Sequence, residues 1–388
     1  MSKYIVVHAG ARDQYKLAQV LYKNGKLGYI VTDDIIFRKE YRSLFPRKCI
    51  KISWSALFIQ VILKIHNFGE GLQMIKTRCL GRTAGKLSDK KNMPLLALQE
   101  YAYHAYQYSG VRPRIVFQFH PQAEANKKIF DEEIARHPES KSFQDEVKIY
   151  TPQKIQEARD ELRMTDYYIA ASSFTKQTLV ENGAEQSKVF VAPYGVNTEK
   201  FSFRHTGNNG MVTFLFVGSF VERKGVHYLI RAAERLEKEG YKFKLKMISR
   251  SDANTSKLKE YGLKCMDIQT NLPFDELVAQ YHSSDVFVFP SLFEGFAFVI
   301  VEAMATGIPV ITTPRTVGLD IVEDGENGFL VNPSDTDGLY EKMKFFILNP
   351  GKCQDMGKLA SLCAKSLTWD NFENCVIEAV NSIENKQS

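Results

Sequence analysis

The chain has 388 residues, 44% hydrophobic and 25% charged, with no low-complexity tract or short repeat, so two packed domains are expected rather than one. Six scattered cysteines without a C-x-x-C pair argue against a zinc site or a disulfide framework and fit a reducing compartment. The net charge is +6, and the longest apolar run, around 56–63, falls far short of the ~20 residues that span a bilayer, so a cytoplasmic protein is expected.

A β-branched run predicts the first strand at 4–7, followed by a turn at Gly10, a helix near 15–24 and a strand at 28–32. Residues 38–91 then hold 13 Lys and Arg against three acids, a local charge of +10 that leaves −4 for the rest. Inside this segment Trp54, Leu57, Phe58, Val61, Ile62 and Ile65 recur at helical spacing. Two readings stand: a core helix of the first domain with solvated charges around it, or a helix lying on an anionic membrane surface. Nucleic acid is not expected as a partner, because no recognition motif accompanies the charge. Helices follow at 95–108, 151–163 and 174–182, and strands at 114–119, 167–171 and 189–192. Such alternation means a doubly wound parallel sheet. His120 stands just past the strand at 114–119, at the mouth of that sheet. It either hydrogen-bonds a substrate hydroxyl or is satisfied by nearby backbone. Residues 199–210 are polar and glycine-containing and read as a hinge.

The second domain begins near 211. A strand at 212–217 is broken by Gly218, and helical spacing resumes through Val226, Leu229, Ile230, Ala233 and Leu236. A glycine turn before a helix offers free N–H groups to an anion. Arg223 and Lys224 beside it add a forked and a mobile cation, the combination that a diphosphate requires. After a strand at 243–248 come Ser249 and Arg250, and Asn271, Leu272 and Pro273 are expected near a base. The run VFVFP at 286–290 reads as a central parallel strand. It is followed by Glu294 and Gly295, a helix holding Glu302 and ended by Gly307, a strand at 308–311, and a turn at 313–318 expected to offer N–H groups to phosphate. Two carboxylates eight residues apart thus stand at the carboxyl end of a sheet, where ligands bind in such folds.

This stretch resembles glycosyltransferase family 4, whose E-x7-E hallmark is matched by Glu294 and Glu302. The resemblance is dense over 165–335 and thin before 110. It implies the GT-B architecture: α/β, with two Rossmann-like doubly wound domains facing a central cleft. The corresponding division is 1–198 for the acceptor domain, 199–210 for the hinge, 211–365 for the donor domain, and 366–388 for a helix crossing back to the first. The family's Pro-Asn-Gly-Val-Asp stands here as Pro193, Tyr194, Gly195, Val196 and Asn197. By resemblance Glu294 contacts the donor sugar and Glu302 the ribose. Arg223 and Lys224 grip the diphosphate, Gly218, Gly295 and Phe296 complete the donor seat, and His120 lies against the sugar. Gly10 and Arg12 stand on the acceptor side, where members often carry a Gly-Gly loop. Ala297 stands where the family usually has glycine. The implied activity is that of a retaining hexosyltransferase using a nucleotide-diphosphate sugar, with no metal or other cofactor. Its acceptor would be a glycan or lipid-linked oligosaccharide in surface polysaccharide biosynthesis, reached from the cytoplasm or the inner face of the membrane. The alternatives are a nucleotide-sugar epimerase or glycosyl phosphorylase on the same fold, or a catalytically silent sugar-nucleotide-binding protein.

Overall fold

The computed structural model describes residues 2–8, 12–33, 41, 43–65, 70–197, 199–203 and 210–386. Short apolar runs form two parallel sheets. The first contains β1 (Tyr4–Val7), β2 (Leu27–Thr32), β3 (Ile50–Ile52), β4 (Leu95–Leu98), β5 (Arg114–Gln118), β6 (Tyr167–Ala170) and β7 (Val189–Val191), in the order β3-β2-β1-β4-β5-β6-β7. The second contains β8 (Thr213–Val217), β9 (Lys244–Ser249), β10 (Met266–Thr270), β11 (Val286–Phe289), β12 (Val310–Thr312) and β13 (Gly328–Leu330), in the order β10-β9-β8-β11-β12-β13. Every residue of the central strands YIVV, TFLFV and VFVF is buried. This is the two-sided burial that selects continuous apolar runs over alternating ones. Strand order reverses between β1 and β4 and again between β8 and β11. Each sheet therefore opens a crevice at the carboxyl ends of those strands.

One predicted element is corrected. Residues 95–108 are not a helix: Leu95–Leu98 is β4, paired on both edges by β1 and β5, and a short helix Ala102–Tyr106 follows. All four residues of β4 are buried, and Glu100 at φ 78° separates the two elements. A short apolar run does not by its pattern distinguish strand from helix.

The helix Trp54–Ile65 forms as spaced, but its stripe divides. Ala56, Leu57 and Ile59 are buried, whereas Trp54 is 71% and Phe58 68% exposed, with Val61 also outside. Met74 and Ile75 on the next helix, Glu70–Lys91, are exposed as well. Among the described residues, no helix is long and apolar enough to cross a membrane.

The last helix, Trp369–Asn385, packs on the first sheet's unit. Lys26 pairs with Glu384 at 2.7 Å and Lys23 with Glu373 at 2.8 Å. The Phe372 ring stacks on Tyr194 at 5.5 Å and meets Phe117 edge-on at 5.9 Å. Half of the predicted hinge, 204–209, lies outside the described residues.

Candidate active site

The two crevices face each other across a cleft of about 930 Å³. Asp13, Phe119, His120 and Tyr194 line it from the first unit. From the second, Gly218, Lys224, Glu294, Gly295, Phe296 and Glu302 line it.

Glu294 follows β11 and is 8% exposed. Its Oε1 accepts hydrogen bonds from the Arg223 guanidinium at 2.9 Å, from Ser291 Oγ at 2.9 Å, and from the Lys224 ammonium. Burial alone raises a carboxyl, but Lys224 and then Arg223 outweigh it and hold Glu294 at about 2. Burial lowers the Lys224 ammonium in spite of the facing Glu294. Arg223 also donates to the Phe293 carbonyl at 3.0 Å and stands 3.7 Å from Glu146 of the first unit. The two cations and Glu294 are thus a compact triad, in which Lys224 and Glu294 line the cleft and Arg223 lines the adjoining cavity.

The helix behind them does not start at Gly218. That residue's N–H remains in the sheet, donating to the Ile248 carbonyl at 2.9 Å. Arg223 and Lys224 sit on a 3-10 turn, Glu222–Lys224, and the helix Val226–Lys238 begins after Gly225 at φ 72°. A Cβ at 225 would stand 2.0 Å from the Pro290 carbonyl oxygen, so close approach and backbone sign both demand glycine.

Glu302 lies on the helix Phe298–Thr306 at the other end of the cleft. It accepts from Tyr281 Oη at 3.1 Å, and burial raises its carboxyl against the opposing effects of Tyr281 and Arg250. Ser249, Arg250, Asn271 and Leu272 also line this end, whereas Pro273 does not. The turn at 313–318 is likewise not on the cleft wall. It braces the Glu294 loop from behind: the Arg315 carbonyl accepts from the Glu294 N–H at 2.8 Å, and Val317 N–H donates to the Phe296 carbonyl at 3.0 Å. The turn is therefore a support for the Glu294 loop rather than a wall presented to phosphate.

His120 is exposed, its N–H held by Gln99 Oε1 at 3.0 Å. It borders both the main cleft and an adjoining cavity of about 470 Å³, lined mostly by the first unit and closed by Arg223 and Phe293 of the second. Glu100, Tyr103, His104, Glu157, Glu161 and Arg223 line that second cavity. Glu161 is pushed up to about 7, first by burial, with Tyr103 N–H opposing and Glu100 adding to it. Of the acceptor-side candidates, Gly10 lies outside the described residues. Arg12 opens the 3-10 turn Arg12–Tyr15, and its side chain is likewise outside them.

Sequence reasoning missed Asp13. It enters the cleft from the loop after β1, and its Oδ1 is 2.8 Å from Nε2 of the fully buried His8. Asp13, Gln14 and Tyr15 hold φ of 46°, 54° and 60°, three successive left-handed residues without a glycine. Backbone strain of this kind concentrates at functional sites. The only signal in the sequence is a histidine and an aspartate flanking the end of the first strand.

Two facing doubly wound units with the cleft between their switch points define an α/β protein of GT-B architecture. Residues 197–361 match the family described as glycosyl transferases group 1. The capsular polysaccharide biosynthesis glycosyltransferase CapM of Staphylococcus aureus is 27% identical over 231 residues, 54% of this chain. The chain spans 60% of that protein's own length. Over its whole length the fold is similar to sucrose-phosphate synthase from Thermosynechococcus elongatus, with a TM-score of 0.72 at 15% identity and full coverage of both chains. It is also similar to Anabaena HepE in complex with UDP-glucose, with a TM-score of 0.65 at 15% identity, covering 98% of this chain and 100% of that one.

Proposed function

We propose that the protein is a retaining glycosyltransferase of the family 4 type. It would move a hexose from a nucleotide-diphosphate sugar to a hydroxyl of a glycan or lipid-linked oligosaccharide during surface polysaccharide synthesis. One observation carries this reading: Arg223 and Lys224 meet Glu294 at the carboxyl end of β11, and Lys224, Glu294 and Glu302 line one cleft. The name of CapM and the UDP-glucose held by HepE support the choice of donor and product class.

In this reading Arg223 and Lys224 take up the negative charge that grows on the diphosphate as its bond to the anomeric carbon breaks. Those two side chains supply the positive charge, and no metal or other cofactor is invoked. Glu294 orients the sugar hydroxyls and keeps both cations charged. Glu302 holds the ribose, beside Arg250 and Asn271 at the base end. The acceptor hydroxyl enters from the second cavity past His120. It bonds to the anomeric carbon on the face the diphosphate leaves, and its proton passes to the departing phosphate oxygen. The exposed Trp54 and Phe58, set in the basic segment 38–91, favour seating on the anionic inner face of the membrane, where a lipid-linked acceptor would lie.

The deciding experiment is melting temperature against UDP, GDP, ADP and their sugars, followed by the anomeric configuration of any transferred sugar. A ligand at 100 times its Kd adds about 2.7 kcal/mol. A base-selective shift with retention in the product is expected. No shift with any nucleotide, or an inverted product, would remove the proposal.

A further inference from the structure

Where the two units touch on the other side of the Arg223 turn, Glu133, His137 and His227 converge. Glu133 lies in the last turn of the helix Ala123–Arg136, and His137 is the residue that caps it. A spacing of four puts both side chains on one helical face. His227 comes from the opposite unit, in the first turn of Val226–Lys238. One ligand atom from each of the three lies within 4.8 Å of the others.

His227 is the unusual member. It is only 8% exposed, and neither ring nitrogen has a hydrogen-bond partner among the described residues. Its ring stands edge-on to His137 at 5.3 Å and to Phe143 at 5.4 Å. Buried polar groups are nearly always satisfied, and leaving both nitrogens of an imidazole bare is costly. Glu133 is 1% exposed and accepts from Tyr228 Oη and Ser334 Oγ, each at 2.5 Å, and from the Arg136 guanidinium. Nε2 of His137 is 3.1 Å from the same Tyr228 hydroxyl. That hydroxyl lies between Glu133 and His137 and can stay on the carboxylate as an outer partner, since each carboxylate oxygen accepts more than one bond.

We propose that Glu133, His137 and His227 form a binding site for one divalent cation of the zinc class, which ties the two units together. Two imidazoles and one carboxylate suit zinc rather than calcium or magnesium. With bonds of about 2.0–2.2 Å, the ligand atoms of a tetrahedral ion stand roughly 3.3 Å apart, so the trio draws in by no more than about 1.5 Å. That motion pulls the helix Ala123–Arg136 toward the start of Val226–Lys238. None of the three residues lines the donor cleft, so the ion is structural or regulatory rather than part of the reaction. Its lever is position: His227 follows Lys224 by three residues, so occupancy fixes the turn carrying both cations.

The test is equilibrium dialysis of the full chain against Zn(II) with a competing chelator, counting bound metal in the wild type, His227→Phe and His137→Gln. Co(II) spectra then report the ligand type. One equivalent in the wild type, lost in both variants with circular dichroism unchanged, is expected. The Co(II) bands should lack thiolate charge transfer, which separates this site from the six cysteines. Phenylalanine suits the aromatic surroundings of position 227, and the half-buried His137 tests the site independently should that variant fail to fold. A wild type that binds no more Zn(II) than His227→Phe, or His137→Gln retaining the equivalent, overturns the proposal.

Discussion

The carbonyl oxygen of Phe119 occupies the space that a side chain on Gly295 would need: a Cβ built there would meet it at 1.7 Å. The Gly295 carbonyl in turn accepts from Ser172 Oγ at 2.7 Å and Thr175 Oγ1 at 3.1 Å. The loop carrying Glu294 is thereby pressed against the strand end carrying His120. Gly295→Ala is expected to force the units apart here. The cost is about 1–3 kcal/mol of overpacking, and turnover should fall much more than donor affinity. Unchanged turnover in a stable Gly295→Ala protein would mean that this contact does not set the working geometry.

Glu302 faces the base end of the cleft, where its carboxylate accepts from the Tyr281 hydroxyl. Glu302→Gln keeps an oxygen for Tyr281 but loses the charge that a pair of ribose hydroxyls would meet. Nucleotide affinity should fall by about 1.5–3 kcal/mol, one to two orders of magnitude in Kd, with the melting temperature of the unliganded protein little changed. Titration calorimetry with the nucleotide found by thermal shift checks this, and equal affinity would detach Glu302 from ribose.

The second sheet was legible because its central strands are short, mostly apolar and punctuated by glycines, and because its site residues cluster after those strands. Gly218, Lys224, Glu294 and Glu302 do line one cleft. The first sheet was less so. β4 reads equally as strand or helix in isolation, and only its position between β1 and β5 decides. The long helix Glu70–Lys91 carries glycines that suggest a loop. Gly81 and Gly85 are there because the helix Ala102–Tyr106 and its flanks pass so close that a Cβ at 85 would stand 2.2 Å from the Ala105 carbonyl oxygen. The cleft brings Asp13 to Glu294, and the cluster brings His227 to Glu133 and His137, across long stretches of chain, and no local pattern announces those longer meetings.

Ala297 stands where the resemblance leads one to expect glycine, and it adopts φ 74° and ψ 74°. A Cβ in that region is strained by about 1–2 kcal/mol, partly offset by the freedom that glycine adds to the unfolded chain. Ala297→Gly should therefore raise stability by about 0.5–1 kcal/mol in denaturant unfolding. If it lowers stability, the methyl packs usefully against the cleft wall. A changed ranking of donor sugars in the same variant would assign the methyl a part in sugar selection.

Glu161, 8% exposed, titrates at about 7 against 4.5 for an ordinary glutamate. A carboxyl raised in the folded state favours folding below pH 4.5, and that contribution is lost as the pH climbs to about 7. The difference is on the order of 3 kcal/mol. Glu161→Gln mimics the protonated form, so it should be nearly neutral at pH 5 and stabilising at pH 8. Parallel unfolding curves for wild type and variant across that range would show that Glu161 is not the group responsible.

Trp54 and Phe58 project from one face of a helix whose opposite face holds Ala56 and Ile59 in the core. The surrounding segment, 38–91, carries a net +10. An apolar pair set among cations matches an anionic bilayer surface, where burying each ring would contribute about 1.5–3 kcal/mol and the charges a salt-sensitive remainder. The double variant Trp54→Ser with Phe58→Ser should keep its melting temperature, because neither ring is in the core. Its sedimentation with anionic vesicles should drop at least about tenfold relative to wild type, by the same burial arithmetic. Wild-type binding should weaken with added salt, and neutral vesicles should capture little. Vesicle binding that survives the double change would place the contact elsewhere in the basic segment, and a wild type that ignores anionic vesicles would leave the exposed rings to a protein partner.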